Sequence, residues 1–168
     1  EGTYPLPEAQ VDRFMMKVHV DYPTKEQELE VMRRISNMQF DYSVGTVLTK
    51  EDVFEIRNEI NQTSISESLE KYIIELVYAT RDPKAYNLTE AAEYIQFGVS
   101  PRASINLNLA AKAVAYFEGR DYVLPEDIKE VATDVLNHRI ILNYEAEADN
   151  IDTKDIIATI LDKVPINN

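Results

Sequence analysis

The sequence predicts a mainly α-helical protein, a bundle over residues 23–168 preceded over residues 1–22 by a loop, one helical turn and a single strand. Three observations predict it. From Pro23 onward, apolar residues recur at intervals of three and four, the period of a helix face. Start and stop residues, among them Ser66, Ser100-Pro101, Gly119 and Pro125, fall at the edges of those periodic stretches. Ahead of Pro23 the period changes. In FMMKVHV, Phe14, Met16, Val18 and Val20 point one way and Met15, Lys17 and His19 the other, as side chains of a strand do.

In order along the chain, Gly2 to Pro7 form a Pro-bracketed loop, and a short helical turn after it carries Arg13. A strand as apolar as Phe14–Val20 belongs inside a sheet covered on both faces. Nothing nearby supplies its neighbours, so the chain is expected to be the tail of something larger. The strand is then expected to pair with another copy or to be poorly ordered. Leu29, Met32, Ile35 and Met38 form the first helical stripe. A loop with Gly45 follows, and Thr49 to Asp52 resembles a capping box opening a helix with Val53, Ile56 and Ile60 as its stripe. Ser66 caps the next helix, whose stripe is Leu69, Tyr72, Ile73, Leu76 and Val77, and Pro83 ends it.

A short helix is expected over Thr89–Tyr94. Gly98 closes that element, and Ser100 as N-cap with Pro101 as first helical residue opens a helix to about Glu118, with Ile105, Leu109, Ala113 and Phe117 inward. Gly119 stops it, and Tyr122-Val123 reads as a very short strand. Pro125 opens a helix burying Ile128, Val131, Ala132 and Val135. HRIILNY, residues 138–144, reads as a second short strand or as that helix continued. Asp152 or Thr153 caps the last helix, with Ile157, Ile160, Leu161 and Val164 inward.

The formal net charge of −13 argues against nucleic acid as the main partner, because phosphate backbones demand basic faces. The absence of cysteine excludes a disulfide framework and thiolate metal sites. His19 and His138 lie far apart and make no ligand spacing, so no metal site is expected. No apolar run reaches a membrane span and no signal-peptide pattern opens the chain. A cytoplasmic location is the expectation. Glu8, Asp12, Glu51 and Asp52 show no spacing that favours a carboxylate pair over surface charge.

Two arginines stand out. Arg102 follows Ser100-Pro101 at the second position of a helix, where the exposed N–H groups mildly disfavour a cation. A helix N-terminus plus an arginine fork makes a phosphate cradle; the alternative is a surface arginine paired with a nearby acid. Arg13 sits on a short, stiff mount. It reads either as an arginine paired with Asp12, Glu8 or a sheet neighbour, or as a finger completing a neighbouring subunit's phosphoryl-transfer site.

EGTYPLPEAQVDRFMMKV resembles a signature of the MoxR group of AAA+ ATPases, where it follows the sensor-1 strand near the end of the nucleotide-binding core. YIIELVYATRDP, GVSPRASINLNLAAKAVAYFEGRDYVLPEDI and VLNHRIILNYEAEAD resemble successive pieces of that family's helical lid. The resemblance covers essentially the whole chain. It implies the C-terminal end of an α/β AAA+ core over residues 1–22, contributing the loop, turn and last strand, and a helical lid domain over 23–168. It implies that Arg13, in VDRF, is the arginine finger and Arg102, in SPRAS, the sensor-2 arginine, with Ser100 and Pro101 beside the nucleotide. Whether sensor 2 serves its own subunit's nucleotide or its neighbour's stays open.

The resemblance further implies ATP and Mg²⁺ in the full-length protein, a ring oligomer, by expectation a hexamer, and client proteins remodelled or matured by chaperone action, von Willebrand factor A domain proteins among them. The sequence holds no G-x-x-x-x-G-K-[ST] phosphate loop and no hydrophobic run ending in an acidic pair. It is therefore expected to be the C-terminal half of such an ATPase, inactive and without tightly bound nucleotide when alone. The other reading is a helical protein-interaction module that acts without nucleotide.

Overall fold

The computed structural model describes residue 4, residues 6–36 and residues 43–166. Met38 of the first stripe, and Gly2 and Pro5 of the opening loop, lie outside the described residues. The core is enclosed by four helices: α4 (Glu67–Arg81), α6 (Pro101–Phe117), α7 (Pro125–Leu136) and α9 (Thr153–Lys163). Helix α6 packs on α4 and α7, and α9 packs on the same two. The predicted stripes of α4 and α7 are all buried, from Leu69 to Val77 and from Ile128 to Val135. On α9, Ile157, Ile160 and Val164 are buried and Leu161 is partly so.

The phase of α6 differs from expectation. Ile105, Leu109 and Phe117 point outward, while Ala103, Leu107, Ala110, Ala111 and Ala115 face the core. Four of these five are alanines, so α6 presents little bulk where it packs on α7 and α4. Helices α2 (Lys25–Ile35) and α3 (Lys50–Gln62) open on full capping boxes, Thr24 with Gln27 and Thr49 with Asp52. Neither buries a residue. Leu29, Met32 and Ile35 of α2 are all exposed, and so is Val53 of α3.

The smaller elements are α1 (Glu8–Val11), a 3₁₀ turn at Pro83–Tyr86, α5 (Thr89–Tyr94) and α8 (Tyr144–Ala148). Strand β1 (Ile95–Phe97) pairs antiparallel with β2 (Ile141–Leu142). The expected strand at Tyr122-Val123 reduces to a single parallel bridge between Ser64 and Tyr122.

Residues 14–20 form no strand in this chain. Phe14, Met15, Val18 and Val20 are exposed and Met16 alone of the run packs against the core. The segment lies not at a sheet edge but along the C-terminal end of α7, which offers side chains and one carbonyl in place of a ladder. The Lys17 N–H donates to the Asp134 carbonyl at 2.9 Å. Asn137 Nδ2 donates to the Lys17 carbonyl at 3.3 Å. Within the chain, these bonds hold the segment against the end of α7.

The link from β1 into α6 crosses the end of α4 at close quarters. A Cβ on Gly98 would lie 2.5 Å from the Thr80 carbonyl oxygen, so only glycine fits there. The Val99 N–H donates to Thr80 Oγ1 at 3.1 Å, and Arg81 Nε donates to the Val99 carbonyl at 2.9 Å. These contacts fix the point from which α6 starts, and with it Ser100 to Arg102.

Candidate functional site at the start of α6

Helix α1 is one turn long, and its hydrogen bonds run on past its end. Asp12 N–H donates to the Glu8 carbonyl at 2.9 Å, Arg13 N–H to Gln10 at 3.1 Å and Phe14 N–H to Val11 at 3.1 Å. This tight turn points Asp12 and Arg13 in different directions. Asp12 is half-buried against the bundle; Arg13 is exposed, and its side chain has no hydrogen bond or ion pair among the described residues.

The Asp12 carboxylate is the hub. Oδ1 accepts from Ser100 Oγ at 2.8 Å and from Arg139 Nε at 3.2 Å. Oδ2 accepts from Ser100 Oγ at 2.9 Å and from Arg102 Nη1 at 3.0 Å. Burial pushes the carboxyl up, but the hydrogen bonds from Ser100 and Arg102 and the charges of Arg139 and Arg102 outweigh it and hold Asp12 below the usual carboxylate value.

Ser100 does two tasks at once, since its Oγ also accepts the Arg102 N–H at 3.2 Å as the N-cap of α6. The negative charge that helix N-termini favour is therefore supplied by Asp12. The cation that they disfavour, Arg102, is compensated by the same carboxylate. Arg102 remains half-exposed, and among the described residues its guanidinium is engaged through Nη1 alone.

Arg139 is the residue that the sequence reading missed. Its side chain is fully buried. Besides Asp12 Oδ1, it donates to the Asp12 carbonyl at 3.1 Å, the Met15 carbonyl at 3.2 Å, and the carbonyls of Phe14 and Val135. Burial lowers its pKa; Asp12 opposes that shift and Arg102 adds to it. A guanidinium stays charged under these conditions, so Asp12 is the counter-ion without which the buried charge would be uncompensated. Next to it, His138 Nε2 meets the Phe14 carbonyl at 3.2 Å. The only signal in the sequence was a charged residue in VLNHRIIL, residues 135–142, where apolar residues flank Asn137, His138 and Arg139 on both sides and a buried charge requires a partner.

The structure therefore brings Arg102, Ser100 and Pro101 together with the turn that carries Arg13, and Asp12 joins them. Among the described residues, no group of three or more His, Cys, Asp or Glu could hold a metal ion. Likewise, no described helix is long and apolar enough to cross a membrane.

A family model described as the AAA lid domain matches residues 87–160, a stretch that contains Ser100, Pro101, Arg102 and Arg139. Chaperone MoxR1 of Mycobacterium tuberculosis is 37% identical over 166 residues, 99% of this chain and 44% of that protein. This chain belongs to the MoxR family of AAA+ proteins. The MoxR protein of Paracoccus denitrificans is 33% identical over 153 residues, 85% of this chain and 45% of its own length. A crystal structure of a candidate ATPase from Cytophaga hutchinsonii superposes with a TM-score of 0.96 at 69% identity, covering 100% of this chain and 51% of that one. The MoxR-family chain spans about half the length of the relatives it matches. The mainly helical lid expected from the sequence is the fold observed.

Proposed function

We propose that this chain supplies the lid and the arginine-finger turn of a MoxR-type ATPase, with residues 1–22 as the end of the nucleotide-binding core and 23–168 as the lid. Arg13 is the finger and Arg102 the sensor-2 arginine, with Ser100 and Pro101 placing Arg102 beside the nucleotide. One observation carries this reading: Arg13 is exposed, without a side-chain partner among the described residues, one residue from Asp12, which holds Arg102, so both arginines arise from one edge of the molecule. Two half-free arginines beside a helix N-terminus suit the charge of a transferring phosphoryl group. Their shared origin favours both acting on the same nucleotide, that of the neighbouring subunit in a ring.

ATP hydrolysis would supply the energy for lid motion, and the output would be chaperone-like remodelling or maturation of client proteins, as the name of the mycobacterial relative suggests. This stretch contains no phosphate loop, which elsewhere positions the β- and γ-phosphates and Mg²⁺. By itself it should neither hold ATP tightly nor hydrolyse it. A ring, cytoplasmic location and von Willebrand factor A partners belong to the same reading.

Arg13→Ala and Arg102→Ala in the ATP-hydrolysing protein test it. Each should cut turnover, the finger by on the order of 10³ or more. Unchanged turnover in both would favour the second reading, a nucleotide-independent interaction module. That reading draws on the uncovered apolar face of α2, where Leu29, Met32 and Ile35 meet solvent.

A further inference from the structure

We propose that Arg139 and Asp12 are positioning residues for the two arginines: Arg139 pins the backbone of the Arg13 turn to α7, and Asp12 ties that turn to Ser100 and Arg102 at the start of α6. The inference rests on the finger and sensor-2 reading of Arg13 and Arg102.

A four-residue helix has no stability of its own, because nucleation costs more than one turn returns. Among the described residues, no strand pairs with the segment after it. The turn must be held from outside, and Arg139 does this. One guanidinium takes the carbonyls of Asp12, Phe14 and Met15, on both sides of Arg13, and the Asp12 carboxylate as well. Only a planar fork with five donors can span that set; a lysine ammonium is a point charge on a flexible stem. Because the Arg139 side chain is out of water, its bonds do not compete with solvent. The result is a fixed backbone carrying an exposed Arg13, whose side chain has no hydrogen bond or ion pair among the described residues. A residue that must reach into another subunit needs that combination.

Asp12 extends the hold to α6. Its carboxylate receives Ser100, the N-cap, and Arg102, the second helical residue, while receiving Arg139. The finger turn and the sensor-2 arginine therefore form one block. A displacement of either moves the other.

The test uses the ATP-hydrolysing protein with Arg139→Lys, Asp12→Asn, and Asp12→Asn combined with Arg102→Ala. Turnover is read together with hydrogen exchange at the Lys17 amide, which is bonded to the Asp134 carbonyl. Each single variant should lower kcat at least about tenfold while KM for ATP moves less than about threefold, the signature of lost transition-state positioning. Asp12→Asn should add less than about threefold on top of Arg102→Ala, since residues in one network do not act independently. Arg139→Lys should speed exchange at Lys17 and leave the amides of α4 protected. A merely structural staple would lower the melting temperature without the kcat effect or the non-additivity, and that result would overturn the proposal. If Arg139→Lys does not fold, Asp12→Asn, which keeps size and loses charge, decides alone. Full turnover in Arg13→Ala and Arg102→Ala would defeat the underlying finger reading and this inference with it. Loss of turnover in those two but not in the Asp12 and Arg139 variants would defeat the positioning role only.

Discussion

Helices α4 and α2 begin as similar objects and end differently. Both carry an apolar stripe at helical spacing, and both are capped at the N-terminus by a hydroxyl, Ser66 in one and Thr24 in the other. On α4, Tyr72, Ile73, Leu76 and Val77 are almost wholly excluded from solvent; on α2 no residue is buried. A periodic stripe specifies that a helix has a face. It does not specify what will cover that face, and most helical stability comes from the covering.

The sharpest way to break that contrast is truncation within each stripe. Leu76→Ala should cost about 2–5 kcal/mol in chemical denaturation, the range for a fully buried leucine. Leu29→Ala on α2 is the matched control, and its effect should stay within about 0.5 kcal/mol. Equal effects would show that α2 is covered in solution.

A smaller effect tests the inverted phase of α6. Ala111 is fully buried where that helix meets the core, so Ala111→Leu should destabilise by about 1–3 kcal/mol through overpacking. Ile105→Ala, on the outward face, should be close to neutral in the same assay.

Acid titration gives the smallest expected effect and probes the Arg139 end of α7. Burial lowers the His138 pKa from its ordinary 6.5, with Arg139 and Lys17 acting in the same direction and the Phe14 carbonyl and Asp12 opposing them. As the pH falls, the unfolded chain binds this proton before the folded one does. The contribution is thus fully present above 6.5 and lost as pH falls through the lowered folded value. The denaturation midpoint should drop as pH falls below about 6.5, and His138→Gln should flatten that slope.

Much of the fold is legible in the sequence because caps and stripes are local. Ser66, Ser100 and Asp152 cap the helices they were expected to cap, and α4, α7 and α9 turn the predicted faces inward. Helix α6 misleads because large apolar residues look like core, yet a close helix crossing selects the alanines. Phe14–Val20 misleads because an apolar, alternating run is the pattern of a strand, and pairing is a property of neighbours. Strand β1 is three residues long, too short to carry a period.

The candidate site was legible where a local pattern marks it, as at Ser100-Pro101. Arg13 and Arg102 were evident from their places at a turn and a helix start. In the sequence Asp12 reads as a partner for its neighbour Arg13, whereas it pairs with Arg102 and Arg139, residues distant in sequence. Such pairings have no local signature, and Arg139 announces itself only as a charge between two apolar stretches.

The bonds from Arg139 to Asp12 join residues 127 positions apart. On a ribosome adding about 5–20 residues per second, the turn that carries Arg13 therefore waits roughly 6–25 s before its clamp is even synthesised. During that interval the apolar run of residues 14–20 has no α7 to lie against. A nascent-chain chaperone would have that interval in which to hold it.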